Sequence, residues 1–163
     1  MSRLVSILTL LAVAVAALAA PRAQGQEALA VIVNKSNPVD NVSVEELRKF
    51  CTGERKFWSD SKRVTVVLRD PGQAERAAVL QSIYRMSESD FARFFLHAEF
   101  TGEVQSAPKR LSTGVGVRRF IFNVPGAIGF VRPAEADASV KILRVNGHAP
   151  GDPLYPLHMG GGP

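Results

Sequence analysis

Cysteine is almost absent from this 163-residue chain: Cys51 is the only one. A single thiol excludes an intramolecular disulfide framework and any C-x-x-C redox or zinc motif. Histidine is scarce as well. His97, His148 and His158 stand far apart, and no two share the helical spacing of a metal site. No serine lies in a nucleophile elbow, and no histidine is near Cys51 in sequence. Gly114 and Gly116 make a bare G-x-G without the strand that a dinucleotide site requires. These absences argue against an enzyme and imply neither a metal nor a cofactor. After residue 20 no apolar run is long enough to cross a bilayer.

The N-terminus is different. Arg3 precedes an apolar run, Leu4 to Ala20, broken only by Ser6 and Thr9. Small residues follow in Ala17-Leu18-Ala19 and Ala23-Gln24-Gly25. A basic start, an apolar stretch and a small-x-small site form a secretory signal peptide. The run is shorter than the roughly 20 residues of a spanning helix, so cleavage is expected rather than a retained anchor. No cysteine lies near the site to carry a lipid. The expectation is a signal peptide over residues 1–25 and a periplasmic or secreted protein with no stable membrane insertion after cleavage. Residues 1–25 hold Arg3 and Arg22 and no acid, so the remaining 138 residues carry 18 basic and 15 acidic side chains, net +3. That length can bury a real core as one domain. The excess charge favours anionic partners slightly and does not imply nucleic acid.

Strand and helix signals alternate along the rest of the chain. Ala28–Asn34 is a valine- and isoleucine-rich run that reads as a buried strand. Lys35–Asn41 is a polar loop containing Pro38. Ser43 and Glu46 form a capping box; Val44, Leu47, Phe50 and Cys51 share the helical face that follows, and Gly53 ends the helix. Cys51 therefore reads as a buried structural thiol. Arg63–Arg69 reads as a second strand. Asp70 is placed to cap the next helix with Pro71 at its first position, and Val79, Leu80, Ile83 and Tyr84 give that helix its buried face. Ser87-Glu88-Ser89-Asp90 is a looser capping box, after which Phe91, Phe94, Phe95 and Ala98 fall on one face as core residues. Thr101–Leu111 reads as a loop with room for a short extended piece. Ser112 or Thr113 opens a fourth helix with Val117, Phe120 and Ile121 inward. Ala127–Val131 and Val140–Val145 read as strands, and Gly147–Pro163 is rich in Gly and Pro. The class is α/β, a mixed, mainly parallel sheet flanked by helices. The domain is expected over residues 26–150, with residues 151–163 as an irregular C-terminal tail whose last residues fray.

Arg69-Asp70-Pro71-Gly72-Gln73 is the strongest candidate site. It joins a strand to a helix, and the free amides of a helix start suit a phosphate or carboxylate. Gly72 lets a ligand approach the backbone, and Arg69 can add a bidentate contact. An ordinary capped helix start with a surface arginine fits the same residues. Ser36, in Asn34-Lys35-Ser36-Asn37-Pro38, offers a hydroxyl to a ligand or simply belongs to a loop.

Four segments occur in a telling order: Asn34–Pro38, Gly53 with Trp58 five residues on, Arg69–Gly72, and Asn123-Val124-Pro125-Gly126-Ala127-Ile128-Gly129-Phe130. From Ala30 to Val145 the chain resembles the second half of a phosphate-type periplasmic solute-binding protein. The resemblance implies the fold of one lobe of a type 2 periplasmic binding protein. It also implies a small anionic solute such as phosphate, held by Arg69, Asp70, Gly72, Gln73 and Ser36, and an ABC transporter permease or another envelope protein as partner. Gln73 and Ala74 stand where the family carries hydroxyl residues, and the chain is about half the family's usual length. Both departures imply weak binding, because a single lobe cannot enclose a ligand. The alternative is an interaction or sensor module of the cell envelope that retains the fold without the ligand. Trp58 reads as packing, and the glycines of the 125–130 segment as serving backbone geometry.

Overall fold

Ala30, Val31, Ile32 and Val33 are all fully withdrawn from solvent, and they form strand β1 (Ala30–Asn34) inside a sheet covered on both faces. The computed structural model describes residues 26–160. The expected signal peptide lies outside the described residues. Successive side chains of a strand point to opposite faces. Val31 and Val33 accordingly join one apolar cluster, and Ala30 and Ile32 join another on the far side.

After β1 come β2 (Asn41–Val42), α1 (Val44–Thr52), β3 (Thr65–Arg69), α2 (Ala74–Val79), α3 (Glu88–Phe100), β4 (Lys109–Leu111), α4 (Gly114–Asn123), β5 (Ala127–Val131), β6 (Val140–Ile142) and β7 (Arg144–Val145). The main sheet has the order β4-β3-β5-β1-β6. β3 runs parallel to both β4 and β5, whereas β1 is antiparallel to β5 and β6. The sheet is mixed, and β1 alone runs against the other four strands. The Val140–Val145 run, expected as one strand, divides: β6 edges the main sheet and β7 pairs in parallel with β2. Leu143, fully buried, lies at the break, and its amide still donates to the Val31 carbonyl.

α1 begins and ends as its sequence specifies. The Ser43 hydroxyl accepts from the Glu46 amide, the Glu46 carboxylate accepts from the Ser43 amide, and Gly53 closes the helix at φ 83°. Leu47, Phe50 and Cys51 are buried. Ser87 caps α3 by accepting from the Asp90 amide. Phe91 and Phe95 are buried beside Tyr84, with the Phe91 and Tyr84 rings edge to face at 4.9 Å. Phe94, expected in the core, is only half-buried, because it sits at the margin of the face that its neighbours define. Thr113, the second of the two expected residues, caps α4, with Val117 and Ile121 buried and Phe120 half-buried.

The second helix departs from expectation. Asp70 does not cap it, and Pro71 is not its first residue. Asp70–Gln73 instead forms a turn in which the Gln73 amide donates to the Asp70 carbonyl at 3.3 Å, with Gly72 at φ 87°. Proline followed by a left-handed glycine is the signature of a type II turn, and that preference prevails over the helix-start reading. Gln73 holds the cap position without a side-chain bond. α2 then has six residues and widens into a π-helical turn, Leu80–Tyr84, which ends at Arg85 in the left-handed region.

Residues 151–160 carry no regular strand or helix, yet they are packed. Tyr155, Leu157 and Met159 are buried. The Tyr155 hydroxyl donates to the Leu29 carbonyl at 2.7 Å, the Leu29 amide donates to Leu157, and the Met159 amide donates to Glu27. This segment seals the entry to β1.

Candidate anion-binding site

The parallel strands β4, β3 and β5 end side by side at Leu111, Arg69 and Val131. In open α/β sheets, ligands sit beyond the carboxyl ends of such strands. The chain places two arginines there, Arg69 as the last residue of β3 and Arg132 immediately after β5, together with the start of α4. Sequence reasoning found Arg69 and missed Arg132. The signal was available, since Arg132 follows a strand of five apolar or small residues.

Arg69 is buried. Its Nη1 donates to Glu75 Oε1 at 2.9 Å, and its Nη2 donates to Gln73 Oε1 at 3.1 Å and to the Ser112 carbonyl at 3.0 Å. Its Nε is buried without a partner. Glu75 was not anticipated as a site residue. It is 2% exposed and also accepts from Arg132 Nε at 3.1 Å, so one carboxylate joins the two strand-end arginines. Arg132 reaches Glu27 through its Nη1. Arg76 lies behind this group. It forks onto the two oxygens of Glu88 at 2.7 and 2.9 Å, donates to the Arg69 carbonyl, and covers the Phe91 ring at 4.8 Å. Glu135 accepts from the Arg132 amide, and its carboxylate lies so close over Gly114 that a Cβ there would meet it at 2.2 Å. The first residue of α4 is therefore covered by a carboxylate of the chain itself.

The other expected site residues scatter. Gly72 is exposed on the turn with open space around it. Asp70 is half-buried, and its amide donates to the Leu111 carbonyl. Gln73 accepts from Arg69 through its Oε1. Ser36 lies at the other end of the sheet. Because β1 is antiparallel to β5, residues beyond Asn34 emerge where β5 begins, whereas Arg69 lies where β5 ends. There the Ser36 hydroxyl donates to Asn34 Oδ1 at 2.8 Å, and Asn34 Nδ2 donates to the Ile121 and Phe122 carbonyls near the end of α4. Ser36 and Arg69 do not share a site.

The remaining segments hold each other. Trp58 is buried, with its ring centroid 4.4 Å from that of Phe50 and its Nε1 donating to the Gly126 carbonyl at 2.9 Å. A Cβ on Gly126 would stand 2.0 Å from the Arg63 carbonyl oxygen, and one on Gly129 would stand 2.7 Å from Val117 Cγ1. Both glycines serve close approach, and neither has a positive φ.

No family model matches the sequence. Solved structures do match. A crystal structure of an ABC-type phosphate transport receptor from Vibrio cholerae superposes with a TM-score of 0.62 at 21% identity, covering 76% of this chain and 48% of that one. The fold is that of one lobe of a periplasmic binding protein. PstS from Borrelia burgdorferi gives 0.63 at 18% identity, covering 82% and 55%. A phosphate ABC transporter substrate-binding protein from Clostridium perfringens, solved with bound phosphate, gives 0.61 at 20%, covering 76% and 47%. The chain spans about half the length of the structures it matches. These neighbours are transport binding proteins. Among the described residues, no helix is long and apolar enough to cross a membrane.

Proposed function

We propose that this chain is an exported, non-catalytic module of the cell envelope that keeps the solute-binding fold and works through a protein partner, the permease of an ABC importer or a sensor component. One observation carries this reading: the strand-end arginine that would take an anion is already paired with the chain's own Glu75. The surrounding charge supports it. Arg69, Arg76 and Arg132 are matched by Glu75, Glu88 and Glu27, and Glu135 adds another carboxylate. A phosphate arriving here must displace a buried carboxylate and then lie beside others. Leu96 and Phe100, four residues apart on α3 and 71% and 90% exposed, offer apolar surface to a partner.

A second reading keeps a small anion such as phosphate as the ligand, with the missing wall of the cleft supplied by a partner or a second copy. The buried, unpartnered Nε of Arg69 favours it, as does the likeness in fold to proteins described as phosphate receptors. Calorimetry separates the two. The module reading expects no heat of binding from the native protein with millimolar phosphate or sulfate, and binding at least tenfold tighter once Glu75→Gln releases Arg69. Native binding at millimolar affinity or better that Arg69→Lys weakens overturns the module reading. Export has its own measurement. Protein recovered from its native host should begin between about residues 20 and 26, and an intact Met1 on a cytoplasmic protein rules export out.

A further inference from the structure

At the opposite end of the sheet from Arg69, where β3 and β4 begin, a cavity of about 500 Å3 opens to solvent. Its floor is apolar, built from Phe50, Val66, Phe95 and Val104. Its rim carries Arg55, Lys56, Arg63 and Lys109, and no aspartate or glutamate lines it. The contrast with the Arg69 end is clear, since Arg69, Arg76 and Arg132 each meet a carboxylate there. At this end Arg55 meets Glu46 only at 3.6 Å, with both side chains nearly half exposed. Lys56, Arg63 and Lys109 form no ion pair among the described residues, although Arg63 and Lys109 lie over the Phe57 and Phe120 rings.

A second cavity of about 450 Å3 adjoins the first and shares Gly53, Lys56 and Val104 with it. Its apolar lining is Met86, Phe94 and Val104, and its charges are mixed, with Glu54 and Glu103 facing Arg48 and Lys56. Val104 stands against Gly53, where an added Cβ would meet its Cγ1 at 2.6 Å, so these shared residues lie between the second, mixed-charge cavity and the first, whose charged lining is wholly cationic. A compact inorganic ion would leave the apolar floor of the first cavity unused. A neutral apolar molecule makes no use of the cationic rim.

We propose that the first cavity binds a single-chain anionic amphiphile, a long-chain carboxylate whose head group meets Lys56 and Arg63 while its chain lies over Phe50, Val66 and Phe95. Calorimetry of the purified protein with dodecanoate, below the concentration at which it forms micelles, tests the assignment. Saturable binding at micromolar concentration is expected, at least tenfold weaker for 1-dodecanol and undetectable for acetate. Lys56→Glu with Arg63→Glu should weaken dodecanoate at least tenfold. Both side chains are exposed, so the fold is expected to survive, and circular dichroism verifies it. Ala107→Trp, which fills the first cavity from its rim, should abolish binding in a folded protein. Absence of saturable binding, equal affinity for the alcohol, or full affinity in either variant overturns the proposal. Neither outcome bears on Arg69, which lies at the other end of the sheet.

Discussion

The Arg69 guanidinium meets the Glu75 carboxylate at 2.9 Å, with the two side chains only 9% and 3% exposed. The pair occupies the place where a strand-end arginine would be free to take a ligand. Glu75→Ala leaves the buried Arg69 charge without a carboxylate, which costs about 3–5 kcal/mol, whereas Arg69→Ala leaves Glu75 paired with Arg132. Glu75→Ala should lower the unfolding free energy obtained from urea titration by that amount, and Arg69→Ala by less. The double variant Arg69→Met, Glu75→Leu should recover much of the loss, because well-packed apolar residues commonly replace a buried pair without penalty. A loss below about 1 kcal/mol in both single variants, typical of an exposed pair, would show that water reaches the pair in solution.

Gly126→Ala should be among the most damaging small changes in the chain. Its Cβ would stand 2.0 Å from the Arg63 carbonyl oxygen, and backbone cannot move aside as a side chain can. Overpacking of this kind costs about 1–3 kcal/mol, and the same shift strains the bond from Trp58 to the Gly126 carbonyl. Thermal unfolding followed by the fluorescence of Trp58, the only tryptophan, should show a lower midpoint together with a changed native spectrum. Gly72→Ala, with open space but φ at 87°, should cost less and leave that spectrum unaltered.

Phe91 and Phe95 should separate from Phe94. The first two are buried against Tyr84, so truncation to alanine should cost about 3–5 kcal/mol each. Phe94 is half-buried, and its truncation should cost about 1 kcal/mol, nearer to the centre of the range for single substitutions. Equal losses at all three positions, measured by denaturant unfolding, would contradict the packing of α3.

Alkaline pH should destabilise the domain through Cys51. Burial pushes its thiol up to about 12, against an ordinary value near 9. In the unfolded chain the thiol ionises first, so between those values the unfolded state holds fewer protons and stability falls as pH rises. Burial raises the Tyr84 and Tyr155 hydroxyls as well, with the same sign. Below pH 8 none of the three contributes a slope. Cys51→Ala should flatten the pH 9–12 part of the profile, and native Cys51 should resist thiol reagents at pH 8 until the protein unfolds.

Much of the fold was legible because local signals agreed. The Ser43–Glu46 box and Gly53 bound one helix, the spacing of Phe91 and Phe95 set the buried face of another, and the apolar run Ala127–Val131 marked a strand. The turn after β3 was misread because proline and aspartate serve helix starts and type II turns equally well, and Gly72 decides between them only once its φ is known. At the candidate site, Arg69 could be found from its position at a strand end. Glu75 could not. A glutamate in the first turn of a helix ordinarily faces water, and its burial depends on Arg132, which arrives from a strand more than fifty residues later. Ser36 misled for a related reason. Its loop is close to a strand end, but only the antiparallel setting of β1 determines which edge of the sheet that end occupies.

That setting of β1 also governs the order in which the chain can assemble. The first strand to be synthesised sits between β5 and β6, pairing Ala30 with Val131 and Asn34 with Val140. Its entry is closed later still by Tyr155 and Leu157. Contacts this distant in sequence make for slow folding. During synthesis the apolar strand β1 therefore waits for its two neighbours until residues 127–142 have been made.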